Sequence, residues 1–140
     1  MPCLEISVPK LDTNIKSVLV ERLTKAYVDS TGLEARIFGI RFFEYSIGDS
    51  ANEGVLWDGS NGKPYHHFIF NGPKLSFKAK QKLVVSMTEA YTSTINNPNW
   101  KPVFFINEYS YDNIGAEGEI LSGREDGKFA NRKFYFEMKD

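Results

Sequence analysis

Laid over itself with an offset of 64 residues, the chain matches without a gap, and this internal repeat limits the fold more than any other feature. Pro9-Lys10-Leu11 recurs as Pro73-Lys74-Leu75, Lys16 as Lys80, Leu19-Val20 as Leu83-Val84, and Thr24 as Thr88. Ala26-Tyr27 recurs as Ala90-Tyr91, and Glu44-Tyr45-Ser46 as Glu108-Tyr109-Ser110, which makes 12 identities over the 38 positions 9–46.

Each copy reads as strand, helix, strand. Residues 4–8 alternate Leu, Glu, Ile, Ser, Val, the period of two of a strand with one buried face, and His67-Phe68-Ile69-Phe70 is its short apolar counterpart. Asp12 and Ser76 stand at N-cap positions. Ile15, Val18, Leu19, Arg22, Leu23 and Ala26 give the first helix an i, i+3, i+4 stripe; Leu83, Ser86, Met87, Ala90 and Tyr91 give the second a looser one. Gly32 and Asn96-Asn97-Pro98 end the helices, and second strands follow over 37–45 and 103–109. A strand, crossover helix and strand make a parallel pair. Two such units predict an α/β (α+β) fold, a four-stranded mixed sheet with two helices on one face. The uncovered face still carries apolar residues, which predicts a symmetric oligomer.

The chain therefore reads as one domain over 1–140, with a first repeat at 2–47, a linking loop or hairpin at 48–64 and a second repeat at 65–121. The tail at 122–140 reads as either frayed or packed on a neighbour, and the aromatic Phe134-Tyr135-Phe136 near its end favours packing. The chain's 17 basic and 18 acidic side chains form no basic block, so nucleic acid has no footprint. Nothing in the sequence resembles a membrane span or a signal peptide. With one cysteine, Cys3, and two histidines, neither an internal disulfide nor a Cys/His zinc cluster can form. The expectation is a soluble, reduced, cytoplasmic protein without metal or cofactor.

Pro2 carries the most chemistry. Methionine aminopeptidase accepts proline after the initiator, so the mature chain is expected to begin with a prolyl secondary amine. An α-amino group titrates near 8, and burial or nearby cations lower that, giving an uncharged base near neutrality. Candidate cations for an acidic substrate are Lys10 and Lys74, at the ends of the first strands of the two copies, and Arg41, on a strand between apolar residues, whose alternative partner is Glu44.

Pro2 followed at once by a strand, a Lys-Leu-Asp turn into a helix and a second βαβ copy resembles the tautomerase superfamily over about residues 2–121. Within it the chain is most similar to the fused-repeat cis-3-chloroacrylic acid dehalogenase group, through Leu23-Thr24-Lys25-Ala26-Tyr27, Lys80-Gln81-Lys82, Phe105-Ile106-Asn107-Glu108 and Glu117-Gly118-Glu119-Ile120-Leu121. Asn113-Ile114-Gly115 is similar to the last strand of macrophage migration inhibitory factor. The resemblance implies a homotrimer with Pro2 at a subunit boundary, acting as general base and acid on a small 2-oxo or enol acid. Arg41 matches the second-strand arginine of the 4-oxalocrotonate tautomerase branch; Tyr27, Phe105 and Asn107 would line the pocket. In the dehalogenase group position 27 is a histidine, Lys74 corresponds to an arginine pair, Phe105 is a tyrosine, and the water-activating glutamate falls at Ala116, one place from Glu117. These departures favour proton transfer. The alternatives are hydration, dehalogenation or decarboxylation of an unsaturated acid with Glu117 activating water, and a non-enzymatic binding or signalling protein on the same fold.

Overall fold

The computed structural model describes residues 2–124. The expected packing of Phe134-Tyr135-Phe136 lies outside them. The first copy supplies β1 (Cys3–Pro9), α1 (Thr13–Thr31) and β2 (Gly39–Tyr45), followed by a hairpin of β3 (Ala51–Asn52) and β4 (Val55–Leu56). The second supplies β5 (His67–Gly72), α2 (Phe77–Thr94) and β6 (Val103–Glu108), followed by β7 (Gly115–Ala116) and β8 (Glu119–Ile120). The main sheet has the order β2-β1-β5-β6. β1 runs parallel to β2 and β5 parallel to β6, while β1 and β5 are antiparallel, with Leu4 opposite Phe70 and Ile6 opposite Phe68. The sheet is thus mixed, as expected from two βαβ units.

Strand alternation divides the side chains. Leu4, Ile6, Val8, Phe68 and Phe70 are fully buried beneath the helices, which contribute Leu19, Leu23 and Tyr27 and their counterparts 64 positions on, Leu83, Met87 and Tyr91. Tyr27 takes the place on this face that the sequence pattern gave to Val18 and Arg22. Val18 is exposed, and Arg22 reaches across to the hydroxyls of Ser93 and Thr94. The opposite face is open: Phe43, Val103 and Phe105 are all more than two-fifths exposed. Ser76 caps α2 by accepting a hydrogen bond from Ala79 N at 3.1 Å, whereas the Asp12 carboxylate at the same place on α1 makes no capping bond. Gly32 closes α1 with φ +71°, its N–H reaching Val28 O at 2.8 Å.

The repeat extends to side-chain chemistry. Glu44 accepts from Leu11 N at 2.7 Å and from Lys16 Nζ at 2.8 Å; Glu108 accepts from Leu75 N at 3.0 Å and from Lys80 Nζ at 2.9 Å. Each glutamate ties the end of a second strand to the start of its helix, and the Lys16 and Leu11 hydrogen bonds hold the Glu44 carboxyl below its usual range. The hairpins repeat as well. Glu53 and Gly54 have φ of 53° and 77°, Glu117 and Gly118 of 56° and 82°, the paired positive values of a two-residue turn that matches strand twist.

Position 66 is the counterpart of position 2. Gly39 N donates to Pro2 O at 3.1 Å, and Val103 N donates to His66 O at 2.9 Å. His66 faces the helices and is hydrogen-bonded through Nδ1 to Tyr91 Oη at 2.9 Å, whereas His67 faces the open side against Phe105. The adjacent histidines thus point to opposite faces, as strand geometry dictates.

Two stability predictions follow from these contacts. Glu44→Ala and Glu108→Ala each strand a backbone N–H and a lysine, at about 1–2 kcal/mol apiece. They sit at opposite ends of the sheet, so urea denaturation of the double variant should show the two losses adding. Burial lowers the His66 pKa to about 4, so the folded state holds it neutral while the unfolded chain takes up a proton below about 6.5. Stability should fall as pH drops through that window, and His66→Gln should flatten the decline by about one proton, as read from denaturation midpoints at pH 7, 5.5 and 4.

Candidate active site

Pro2 is buried at the start of β1, an inner strand, next to the last residue of β5. Gly72 is there because nothing larger fits. A Cβ on it would stand 2.8 Å from Cε1 of the fully buried Phe70 and 3.6 Å from Cβ of Pro2. The same contacts place the Pro2 ring on the helix side of the sheet. Phe70 in turn meets Tyr27 and Phe38, whose rings stack at 4.0 Å with 9° between their planes. An aromatic wall from α1 and the start of β2 thus backs the residue-2 end of the sheet.

Tyr27 is fully buried, and its hydroxyl has no hydrogen-bond partner among the described residues. Burial, with Tyr111 and Glu34 adding to it, pushes its pKa far above the usual value for a phenol, so it stays protonated and acts only as a donor or acceptor. Beside Gly72, a shallow depression of about 230 Å³ is lined by Asn71, Tyr109, Asn113, Ile114 and Gly115. Asn71 donates to Cys3 Sγ at 3.6 Å and accepts from Asn107 Nδ2 at 3.1 Å, a polar row across the open face at this end.

The antiparallel junction separates the residues singled out from sequence. Lys74 follows β5 past Gly72 and Pro73, and so lies at the end where Pro2 begins β1. Lys10 is its counterpart in the repeat but follows the other end of β1, seven residues or about 23 Å along. Arg41 is exposed on the open face, opposite Glu5 in register and 5.0 Å from the Phe43 ring; Glu44 is engaged with Lys16 instead. Phe105 and Asn107 share that open face, so within one chain Arg41, Phe105 and Asn107 lie on the side of the sheet away from the Pro2 ring. Glu117 is not on a strand: it occupies the turn between β7 and β8 and pairs with Arg124 at 2.7 Å. Phe38, Tyr109 and Tyr111 were not foreseen. Only Tyr109 left a trace, as the repeat of Tyr45.

No group of histidine, cysteine and acidic side chains suited to a metal occurs among the described residues. No helix among them is long and apolar enough to cross a membrane.

Two βαβ units joined antiparallel, with both helices on one face, are the fold shared with solved fused 4-OT structures. No family model matches the sequence and no curated protein matches it. Solved structures do. A native fused 4-OT superposes with a TM-score of 0.78 at 21% identity, covering 87% of this chain and 99% of that one. Pt0534, in a structure of the protein inactivated by 2-oxo-3-pentynoate, gives 0.75 at 21% identity over the same shares. N1, a member of the cis-3-chloroacrylic acid dehalogenase family, gives 0.69 at 16% identity, covering 91% of this chain and 90% of that one.

The packing at Gly72 generates one prediction. Gly72→Ala drives a methyl into the Phe70 ring, which has no free space to yield into, and should cost about 1–3 kcal/mol in chemical denaturation. Gly115→Ala, whose Cβ would meet nothing nearer than 3.7 Å, is the neutral control.

Proposed function

We propose that the protein is an enzyme of the tautomerase superfamily that moves a proton between oxygen and carbon of a small 2-oxo or enol acid, with Pro2 as base and acid. The observation that carries this reading is the position of Pro2, buried at the head of an inner strand with Lys74 at the same end of the sheet. Once Met1 is removed, the Pro2 nitrogen takes the C2 hydroxyl proton of the enol and returns it to C3, while Lys74 holds the carboxylate. Lys10, at the other end of the sheet, takes no part in this chain's site.

The assembly proposed is a homotrimer. Support comes from the exposed apolar residues of the open face and from trimeric structural neighbours, among them the F6 fused 4-OT, an asymmetric trimer at 20% identity and a TM-score of 0.71. Arg41, Phe105 and Asn107, turned from the Pro2 ring of their own chain, then serve the site from a neighbouring protomer. Glu117, paired with Arg124, favours proton shuttling over activation of a water.

Mass spectrometry should show a chain beginning at Pro2, and the protein should ketonise phenylenolpyruvate. Pro2→Ala should lower kcat/KM by about 10²–10⁴-fold, and Lys74→Ala should raise KM more than it lowers kcat. Full activity in Pro2→Ala would remove the proline from the mechanism.

A further inference from the structure

In the first copy the chain that leaves the β3–β4 hairpin runs to the head of β5 and covers the end of the sheet on its way. Trp57 stands edge-on to Tyr45 at 6.1 Å, Tyr45 Oη donates to Tyr65 O, and Tyr65 N donates to Ser50 Oγ at 3.4 Å. The second copy follows the same course through Leu121. Asn113 N reaches Ser110 O at 3.0 Å as Asp49 N reaches Ser46 O at 3.1 Å, and Leu121 N reaches Ile114 O at 2.9 Å as Trp57 N reaches Ser50 O at 2.9 Å. Tyr109, Asn113, Ile114 and Gly115, which line the depression beside Gly72, are thus the counterparts of Tyr45, Asp49, Ser50 and Ala51. Tyr45 is covered by its own chain, whereas Tyr109 is two-fifths exposed among the described residues.

The segment that follows is suited to the same task. Arg124 is held on the β7–β8 hairpin by Glu117 at 2.7 Å and Glu119 at 3.5 Å, so the chain continues from the border of the depression. The position equivalent to Tyr65 is Phe129, again aromatic, and residues 125–130 can span up to about 20 Å, enough to pass over the depression. The antiparallel junction sets the direction: the linker runs to residue 66 at the head of β5, and its counterpart runs to residue 2 at the head of β1. We infer that residues 125–130 lie across the depression of their own chain, Phe129 in the place of Tyr65 and its carbonyl oxygen accepting from Tyr109 Oη, as the outer wall of the Pro2 site. The consequence for chemistry rests on the proton-transfer reading of that site: an aromatic residue beside Gly72 keeps water from the Pro2 nitrogen and from an enol bound there, which strengthens the electrostatic hold on the enolate. Residues 131–140 take no part.

A cross-link and amide exchange test the placement. Ile114→Cys with Phe129→Cys, at the places of Ser50 and Tyr65, is made in a Cys3→Ser background and oxidised with glutathione disulfide. The two thiols should join within one chain, seen as a monomer on a non-reducing gel and as the loss of two hydrogens by mass spectrometry. Hydrogen exchange over residues 109–121 should be about tenfold faster in a chain ending at Arg124 and in full-length Phe129→Asp, and unchanged in a chain ending at Ala130. The first two variants should also lower kcat/KM on phenylenolpyruvate by about tenfold, and the third should not. A disulfide joining two chains, or wild-type exchange in both the chain ending at Arg124 and Phe129→Asp, would overturn the inference and leave the Pro2 reading standing. Neither readout needs turnover, so a wild type that fails to ketonise would overturn the Pro2 reading alone.

Discussion

The antiparallel pairing of β1 with β5 is the constraint on which the rest of the molecule depends. Each βαβ unit alone has a two-stranded parallel sheet and one helix, too little to bury its own apolar side. Joined through the backbone ladder from Cys3–Asn71 to Ser7–His67, the two units bring Leu4, Ile6, Val8, Phe68 and Phe70 into one row beneath both helices. Because the junction is antiparallel, equivalent positions of the repeat are carried to opposite ends of the sheet. Residue 2 therefore meets Gly72 and the segment leading to Lys74, and not its own copy's Lys10.

The two ends are also unequal in how they handle buried polarity. At the residue-66 end, Tyr91 Oη and His66 Nδ1 are hydrogen-bonded at 2.9 Å, His66 Nε2 is buried without a partner among the described residues, and the histidine ring lies against Trp100 at 4.7 Å. At the residue-2 end, the Tyr27 ring packs against Phe38 and Phe70, and its buried hydroxyl has no partner among the described residues.

Much of the architecture was legible because the repeat and the hydrophobic period reinforce each other. The order of elements, the helix-covered face and the direction of His66 and His67 follow from alternation and from the matching at 64 residues. The expected mixed sheet implied an antiparallel junction between the units but did not say which strands form it, and with that went the separation of Lys10 from Pro2. The turn position of Glu117 was not legible, because Glu-Gly is an uncommon form of a turn that needs two positive φ values. The side-chain role of Asp12 was equally hidden: the residue type suits an N-cap, yet Glu44 and Lys16 supply the local order at that helix start. Tyr27 and Tyr91 each follow an alanine at equivalent places in the repeat, and only three-dimensional neighbours show that the Tyr91 hydroxyl has a hydrogen-bond partner and the Tyr27 hydroxyl none among the described residues.

The peptide link entering His66 has a consequence for the numbers of reactive groups. A free-standing βαβ chain would carry an N-terminal amine on every copy of its first strand, but in a fused pair the second strand begins on an amide nitrogen, whose lone pair is delocalised and not basic. That position is thereby released from any demand for an amine and holds an imidazole that ties α2 to the sheet. Fusion makes two strand heads of one repeat chemically unequal, the second being taken up in packing α2 on the sheet.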